Sequence, residues 1–315
     1  MPRPGRGKKS TNVRFQAGAA LVRGLALVSP NGAARLLERA FLSTRRHELP
    51  DRERAWLGDA SPARLESRGR SLSAWTWGAE GPSVLLAHGW EGRGAQMGAF
   101  VAPLRAAGFQ VVTFDHPGHG VSPGRLSSLI EMADAIQDAS LRFGPFEGIV
   151  AHSAGAAAAT LALHRGAGAR GLVYIAPPSD LEGFFDRLAA SLGLPAPIVS
   201  LAKQRIERRL GFRWQDIRHQ DLAASMSVPL LILHDAEDRE IGFENAVRLA
   251  SAWPGSRLEP TRGLGHRRVL RDEAVVSRAV SFLTSRRERF GSGRAELVPS
   301  FVVPPAELAV PGGNG

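Results

Sequence analysis

The sequence contains no cysteine. Disulfides and thiolate-bound metals are thereby excluded, and a reducing compartment fits. Lysine is scarce too, confined to Lys8, Lys9 and Lys203, so arginine carries the cationic character. No run approaches the roughly 18 uninterrupted apolar residues of a membrane-spanning helix. The longest, Ala17 to Val28, is broken by Arg23. That arginine, and the lack of a small-x-small cleavage site, argue against a secretory signal in the basic start formed by Arg3, Arg6, Lys8 and Lys9. The expected location is cytoplasmic. There is no internal repeat.

What is present is enough apolar material for a full core: 43% of 315 residues. The net charge of +10 is unevenly placed. Residues 1–70 hold 15 Lys and Arg against 6 Asp and Glu, whereas residues 71–284 hold 21 of each. The basic character therefore belongs to the N-terminal segment, most simply a solvated Arg-rich leader with amphipathic helices over 12–28 and 31–45. A basic arm can bind acidic partners or membrane surfaces. A weak membrane-surface contact through residues 1–45 stays open. Neither aromatic interleaving nor a nucleic-acid fold signature accompanies the charge, so no nucleic-acid partner is expected.

From Leu72 short apolar runs bounded by Gly and Pro alternate with longer helical patterns. Val84 to Ala87, Val111 to Phe114, Ile149 to Ala151, Leu172 to Ile175 and Leu230 to Leu233 read as buried strands. Helical patterns lie at 95–107, 127–142, 154–165, 244–252 and 272–284. This alternation predicts an α/β fold with a mostly parallel central sheet flanked by helices on both faces. Leu72 to Gly78 suits an antiparallel strand at one edge. Residues 181–226 carry helical apolar patterns and no strand signal, which predicts a helical lid over the strand ends, where ligands bind. The expected organisation is a basic, helical extension over 1–70, a core over 71–180 and 227–285, the lid over 181–226, and a flexible Pro/Gly-rich tail over 286–315.

The chemistry centres on Ile149-Val150-Ala151-His152-Ser153-Ala154-Gly155, an apolar strand running through Ser153 into a run of alanines. Two residues before and after the serine stand Ala151 and Gly155, small enough for a very tight strand-to-helix turn. This segment resembles the nucleophile elbow G-x-S-x-G of the α/β-hydrolase family, with Ala151 in place of the first glycine. Val84 to Trp90 ends in His88-Gly89-Trp90, similar to the family's His-Gly-x turn. The resemblance implies that the backbone N–H groups of Trp90 and Ala154 serve as oxyanion donors. Asp115 to Gly124 looks like the family's D-x-x-G-x-G-x-S turn and is assigned structure rather than chemistry. His116 and His119 do not make a metal pair, because Pro117 and Gly118 prevent a helix that would align them. Gly118-x-Gly120 lacks the third glycine of a dinucleotide fingerprint.

The family's order places an acid and then a histidine downstream. Pro229 to Asp238 is a strand running into an acidic turn. The resemblance to His-Gly-x-x-Asp puts the acid at Asp238, with Asp235 and Glu237 as competitors. His266, in Gly263-Leu264-Gly265-His266, is the histidine in the right position.

The resemblance covers residues 70–285. It implies a serine hydrolase with Ser153, Asp238 and His266 as catalytic residues, cleaving an ester or thioester of a small apolar acyl or aryl substrate, with no cofactor and no metal. Candidate substrate contacts are His88, His152, Phe184, Phe185, Phe212 and Trp214. Acyl transfer, amide cleavage, and a non-catalytic binding protein docked by its basic segment remain as alternatives. The partner is expected to be a small-molecule ester; the oligomeric state is left open.

Overall fold

The computed structural model describes residues 7–290, and side chains from 18 to 288. The basic start at Arg3 and Arg6 and the Pro/Gly-rich tail beyond 290 lie outside the described residues.

Eight strands form one sheet: β1 (Ser61–Ser67), β2 (Arg70–Trp77), β3 (Ser83–Ala87), β4 (Gln110–Phe114), β5 (Phe146–His152), β6 (Leu172–Ile175), β7 (Leu230–Asp235) and β8 (Arg257–Thr261). Their order is β1-β2-β4-β3-β5-β6-β7-β8. All pairings from β4 across to β8 are parallel, while β1 with β2 and β2 with β4 are antiparallel. The strands β3, β5, β6 and β7 are buried along their whole length, as their unbroken apolar runs demand. Alternate residues serve opposite layers. Val84, Leu86, Val150 and Leu231 join one apolar cluster, and Leu85, Ala87, Ile149 and Ile232 join the other.

The helices are α1 (Gly7–Val28), α2 (Pro30–Leu42), α3 (Asp51–Leu57), α4 (Val101–Ala106), α5 (Leu129–Phe143), α6 (Ala154–His164), α7 (Glu182–Ser191), α8 (Ala196–Leu210), α9 (His219–Ala224), α10 (Glu244–Ala252), α11 (Gly265–Arg268) and α12 (Glu273–Phe290). No described helix is long and apolar enough to cross a membrane. The helices α7, α8 and α9 form the insertion between β6 and β7.

Two edges differ from the sequence expectation. The strand over Leu72 to Gly78 is second from the edge, because β1 pairs outside it. Arg68 and Gly69, at φ 47° and 70°, make the two-residue turn between them. Both central residues of such a hairpin turn need positive φ. The sheet thus begins inside the segment assigned to the extension. At the other edge β8 was not anticipated. Its sequence Arg-Leu-Glu-Pro-Thr is half polar, and Pro260 is tolerated because an edge strand has one unpaired side.

The N-terminal segment is bound to the body. Ala33, Ala34 and Leu37 of α2 are fully buried. The following residues are stitched to the loop after β4: Ser127 N–H donates to the Leu42 carbonyl at 2.8 Å, Thr44 Oγ1 to the Gly118 carbonyl at 2.7 Å, and Arg46 Nη2 to the Gly124 carbonyl at 2.8 Å. The Arg-rich stretch is therefore in part structural.

Candidate active site

The strand β5 ends at His152, and α6 begins at Ala154, leaving Ser153 alone to reverse the chain. It does so at φ 52°, ψ −125°. A non-glycine residue held there costs on the order of 1–3 kcal/mol, a strain that clusters at functional sites. The Ser153 N–H is anchored to the Ile175 carbonyl at 2.9 Å. The turn is possible because its flanks are small. A Cβ on Gly155 would stand 2.5 Å from the His88 carbonyl oxygen, and one on Gly89 would stand 2.8 Å from Ser153 Cβ. Ala151, in contrast, sits within the apolar core.

Ser153 opens onto a cavity of about 840 Å³, lined also by Trp90, His152, Ala154 and His266. The His266 Nδ1 lies 2.7 Å from Asp238 Oδ2. The other Asp238 oxygen accepts the N–H groups of Glu240 at 2.8 Å and Ile241 at 3.0 Å. Burial pushes the Asp238 carboxyl up, but the hydrogen bond and charge of His266 and the two N–H groups outweigh it and hold the group below its ordinary value. His234 supports the same loop, its Nε2 donating to the Ile241 carbonyl at 2.9 Å. Its imidazole is lowered by burial.

Asp235, the competing acid, points elsewhere. Its Oδ2 accepts from Thr261 Oγ1 at 2.9 Å and Leu264 N–H at 3.0 Å, and its Oδ1 from Glu237 N–H. It ties the end of β7 to the segment leading into α11, which carries His266. Burial raises its pKa, but the N–H groups of Leu264 and Gly265 and the other donors bring it below the ordinary value.

His152 Nε2 is 3.0 Å from the His266 carbonyl oxygen. A carbonyl can only accept, so Nε2 carries the hydrogen. Burial, with His266 beside it, pushes His152 down to about 3.

Trp90 and Ala154 flank Ser153 in the cavity wall. Among the described residues neither backbone N–H donates to a protein acceptor. His88 is fully buried and does not line the cavity, so its expected substrate contact is replaced by another role. Its Nδ1 donates to the Gly89 carbonyl at 2.7 Å, and its Nε2 accepts from the His116 N–H at 3.0 Å, which fixes the turn that presents Trp90. Burial, then His116 and His119, holds it well below the usual imidazole range.

The Asp115 turn is structural, as expected. Its two oxygens accept from Gly94 N–H and Val121 N–H, each at 2.7 Å. Burial raises it to about 6. Among the described residues no group of three or more His, Asp or Glu side chains is arranged to hold a metal ion.

Of the four aromatics expected at the substrate, Phe184, Phe212 and Trp214 line the cavity. Phe185 does not; it is fully buried behind the wall, with its ring packed against Trp214 at 5.6 Å. Sequence reasoning did not name Phe41, Leu129, Leu188 and Leu210 as substrate contacts, and they are among the apolar residues that line the cavity.

Residues 84–279 match the sequence profile described as "Alpha/beta hydrolase family". A search of curated proteins finds no match. Solved structures with similar folds include a monoacylglycerol lipase from Paleococcus ferrophilus, 24% identical, TM-score 0.56, covering 69% of this chain and 99% of that one. Alpha/beta hydrolase domain-containing protein 10 from mouse is 16% identical, TM-score 0.58, covering 74% and 100%. A bromoperoxidase from Bacillus anthracis is 16% identical, TM-score 0.54, covering 71% and 100%. At these identities the likeness is one of fold.

Proposed function

Because the chain belongs to the alpha/beta hydrolase family, we propose that it is a serine hydrolase that cleaves an ester or thioester with an apolar acyl group. The observation that carries this reading is the strained Ser153, which opens onto the same cavity as an imidazole 2.7 Å from a buried carboxylate.

In this mechanism His266 Nε2 accepts the Ser153 proton as Oγ attacks the acyl carbonyl. Asp238 holds the His266 tautomer with hydrogen on Nδ1 and stabilises the cation that forms. The tetrahedral oxyanion is held by the N–H groups of Trp90 and Ala154, donors whose value lies in meeting charge that appears only in the transition state. His266 returns the proton to the departing alcohol or thiol, leaving an acyl-enzyme. Water then loses a proton to His266 and attacks the acyl carbon. As the bond from the acyl carbon to Ser153 Oγ breaks, His266 returns that proton to Oγ, releasing the acid and regenerating the serine. The apolar walls supplied by Phe184, Phe212 and Trp214 favour a hydrophobic acyl group, and the insertion between β6 and β7 serves as the lid.

A fluorophosphonate probe tests the proposal, since only an activated serine reacts with it. The expected result is one labelled site, lost in Ser153→Ala and strongly slowed in His266→Ala. Absence of labelling in the folded protein would leave a non-catalytic binding protein as the better reading.

A further inference from the structure

The chamber beside Ser153 is built from two distant parts of the chain. One is the insertion, through Leu188, Leu210 and Phe212; the other is the N-terminal segment, through Ala40, Phe41 and Leu42. The family profile begins only at residue 84, so the second wall lies outside the family's matched span.

The sequence of α2 explains how that wall is held. Ala33, Ala34 and Leu37 fall on one helical face and are fully buried. Glu38, beside them, is also buried, with a relative exposure of 5%. A buried carboxylate requires partners. Glu38 has two, Arg205 Nε at 2.8 Å and Arg209 Nη1 at 3.1 Å. These arginines stand four apart on α8 and so share one face. The clasp fixes the register of α2 on the insertion.

Phe41 follows Glu38 by three residues and therefore points to the same side. Its ring meets Phe185 edge-on at 5.1 Å and Trp214 at 6.0 Å. Its free face lines the cavity. Just beyond, the stitching of Leu42 and Thr44 to the loop after β4 closes the segment down.

We infer that residues 30–43 are a working part of the substrate chamber, and that Phe41 sets the length of the acyl chain it accepts. The substrate class is an ester of an extended aliphatic acid, whose chain runs from Ser153 between α2 and the insertion. The inference rests on the serine-hydrolase reading for the position of the ester carbon. At about 840 Å³ the cavity is in the upper part of the range of small-molecule sites, which leaves room for an extended acyl chain.

The test is the ratio of kcat/KM for p-nitrophenyl dodecanoate to that for p-nitrophenyl butanoate, measured on the full chain. Phe41→Trp, which adds bulk to the wall, is expected to lower that ratio about tenfold, the scale by which a pocket discriminates a few methylenes. If Phe41→Trp does not fold, Phe41→Ala removes bulk and is expected to shift the preferred acyl length upward. Changes that run in parallel for both esters, or a ratio that stays put, would overturn the inference. A second measurement separates it from the serine chemistry. In the Ser153→Ala background, displacement of a fluorescent fatty acid by dodecanoate should weaken about tenfold on adding Phe41→Trp. Absence of fluorophosphonate labelling in the parent protein, with this binding effect intact, would sink the hydrolase and keep the chamber; labelling of the parent without the binding effect would sink the chamber alone.

Discussion

His152 Nε2 donates to the backbone carbonyl of His266 at 3.0 Å, and their rings stand 4.6 Å apart. The residue before the proposed nucleophile thus holds the main chain of the proposed base. Gly263 and Gly265, both at positive φ, leave that loop little stiffness of its own. Removing the tether in His152→Ala is expected to lower kcat about tenfold with little change in KM, since a misplaced base weakens the transition state more than binding. His152→Gln keeps a donor of similar reach and should recover most of the loss. Equal kcat in all three proteins would show that His152 merely fills space.

Asp235 and Asp238 stand three residues apart and have different work. Asp238→Asn should lower kcat a thousandfold or more, on the order expected when the imidazole loses its orienting carboxylate. Asp235→Asn instead loosens the bonds to Thr261 and Leu264. A lower melting temperature is expected, by about 1–3 kcal/mol of stability, with a much smaller fall in kcat. Steady-state kinetics paired with thermal melts distinguish them, and a larger kcat loss at Asp235 would reverse the assignment.

Acid should destabilise the fold before the carboxylates near His266 titrate. Burial lowers the imidazoles of His88, His116, His119, His152, His219 and His234 below the ordinary value of 6.5. Each takes up its proton at a lower pH in the native state than in the unfolded chain. The unfolded chain therefore binds more protons as pH falls below 6.5, and stability falls with it, by up to about 1.4 kcal/mol per pH unit for each such group. Asp115 acts the other way: raised to about 6, it binds its proton sooner in the native state and adds stability as pH falls toward 3.8. One carboxyl does not offset six imidazoles. Calorimetry from pH 7 to pH 5 should show a steadily falling melting temperature; a flat or rising one would refute the balance.

Legibility in the sequence followed how locally each feature is encoded. The strands β3, β5, β6 and β7 were visible because burial on both faces demands unbroken apolar runs. The strand β1 was not, since Leu65 is its only large buried apolar side chain and its turn is Arg-Gly where Asn-Gly or Asp-Gly is the usual signal. The tight strand-to-helix turn at Ser153 was legible from the small residues Ala151 and Gly155 around it, whereas His266 was singled out only by the family's order of acid and then histidine. The division of labour between Asp235 and Asp238 was not legible, because it depends on which donors of a later loop fold back onto each carboxylate. Phe41 was hidden for another reason. It lies in a segment whose charge suggests a solvated arm, and its partners, Phe185 and Trp214, are more than a hundred residues away.

The two small positions of the elbow should differ in how exchange affects the reactivity of Ser153. At Gly155 an added methyl would enter the backbone, 2.5 Å from the His88 carbonyl oxygen and 2.8 Å from that of Ala87. Neither atom belongs to a flexible side chain, so the end of β3 must move, and with it the turn that carries Trp90. Gly155→Ala is expected to lose about 1–3 kcal/mol of stability and most of any fluorophosphonate reactivity. Ala151 is different: its methyl is already accommodated in the core, between Ala87 and Tyr174 on the neighbouring strands. Restoring glycine there removes a buried methyl and loosens a strand, so Ala151→Gly should lower stability by about 1 kcal/mol and leave the labelling rate close to that of the parent. The asymmetry follows from where each Cβ points, toward backbone at 155 and toward side chains at 151. A well-folded, fully reactive Gly155→Ala protein would mean that the elbow is looser than its contacts require.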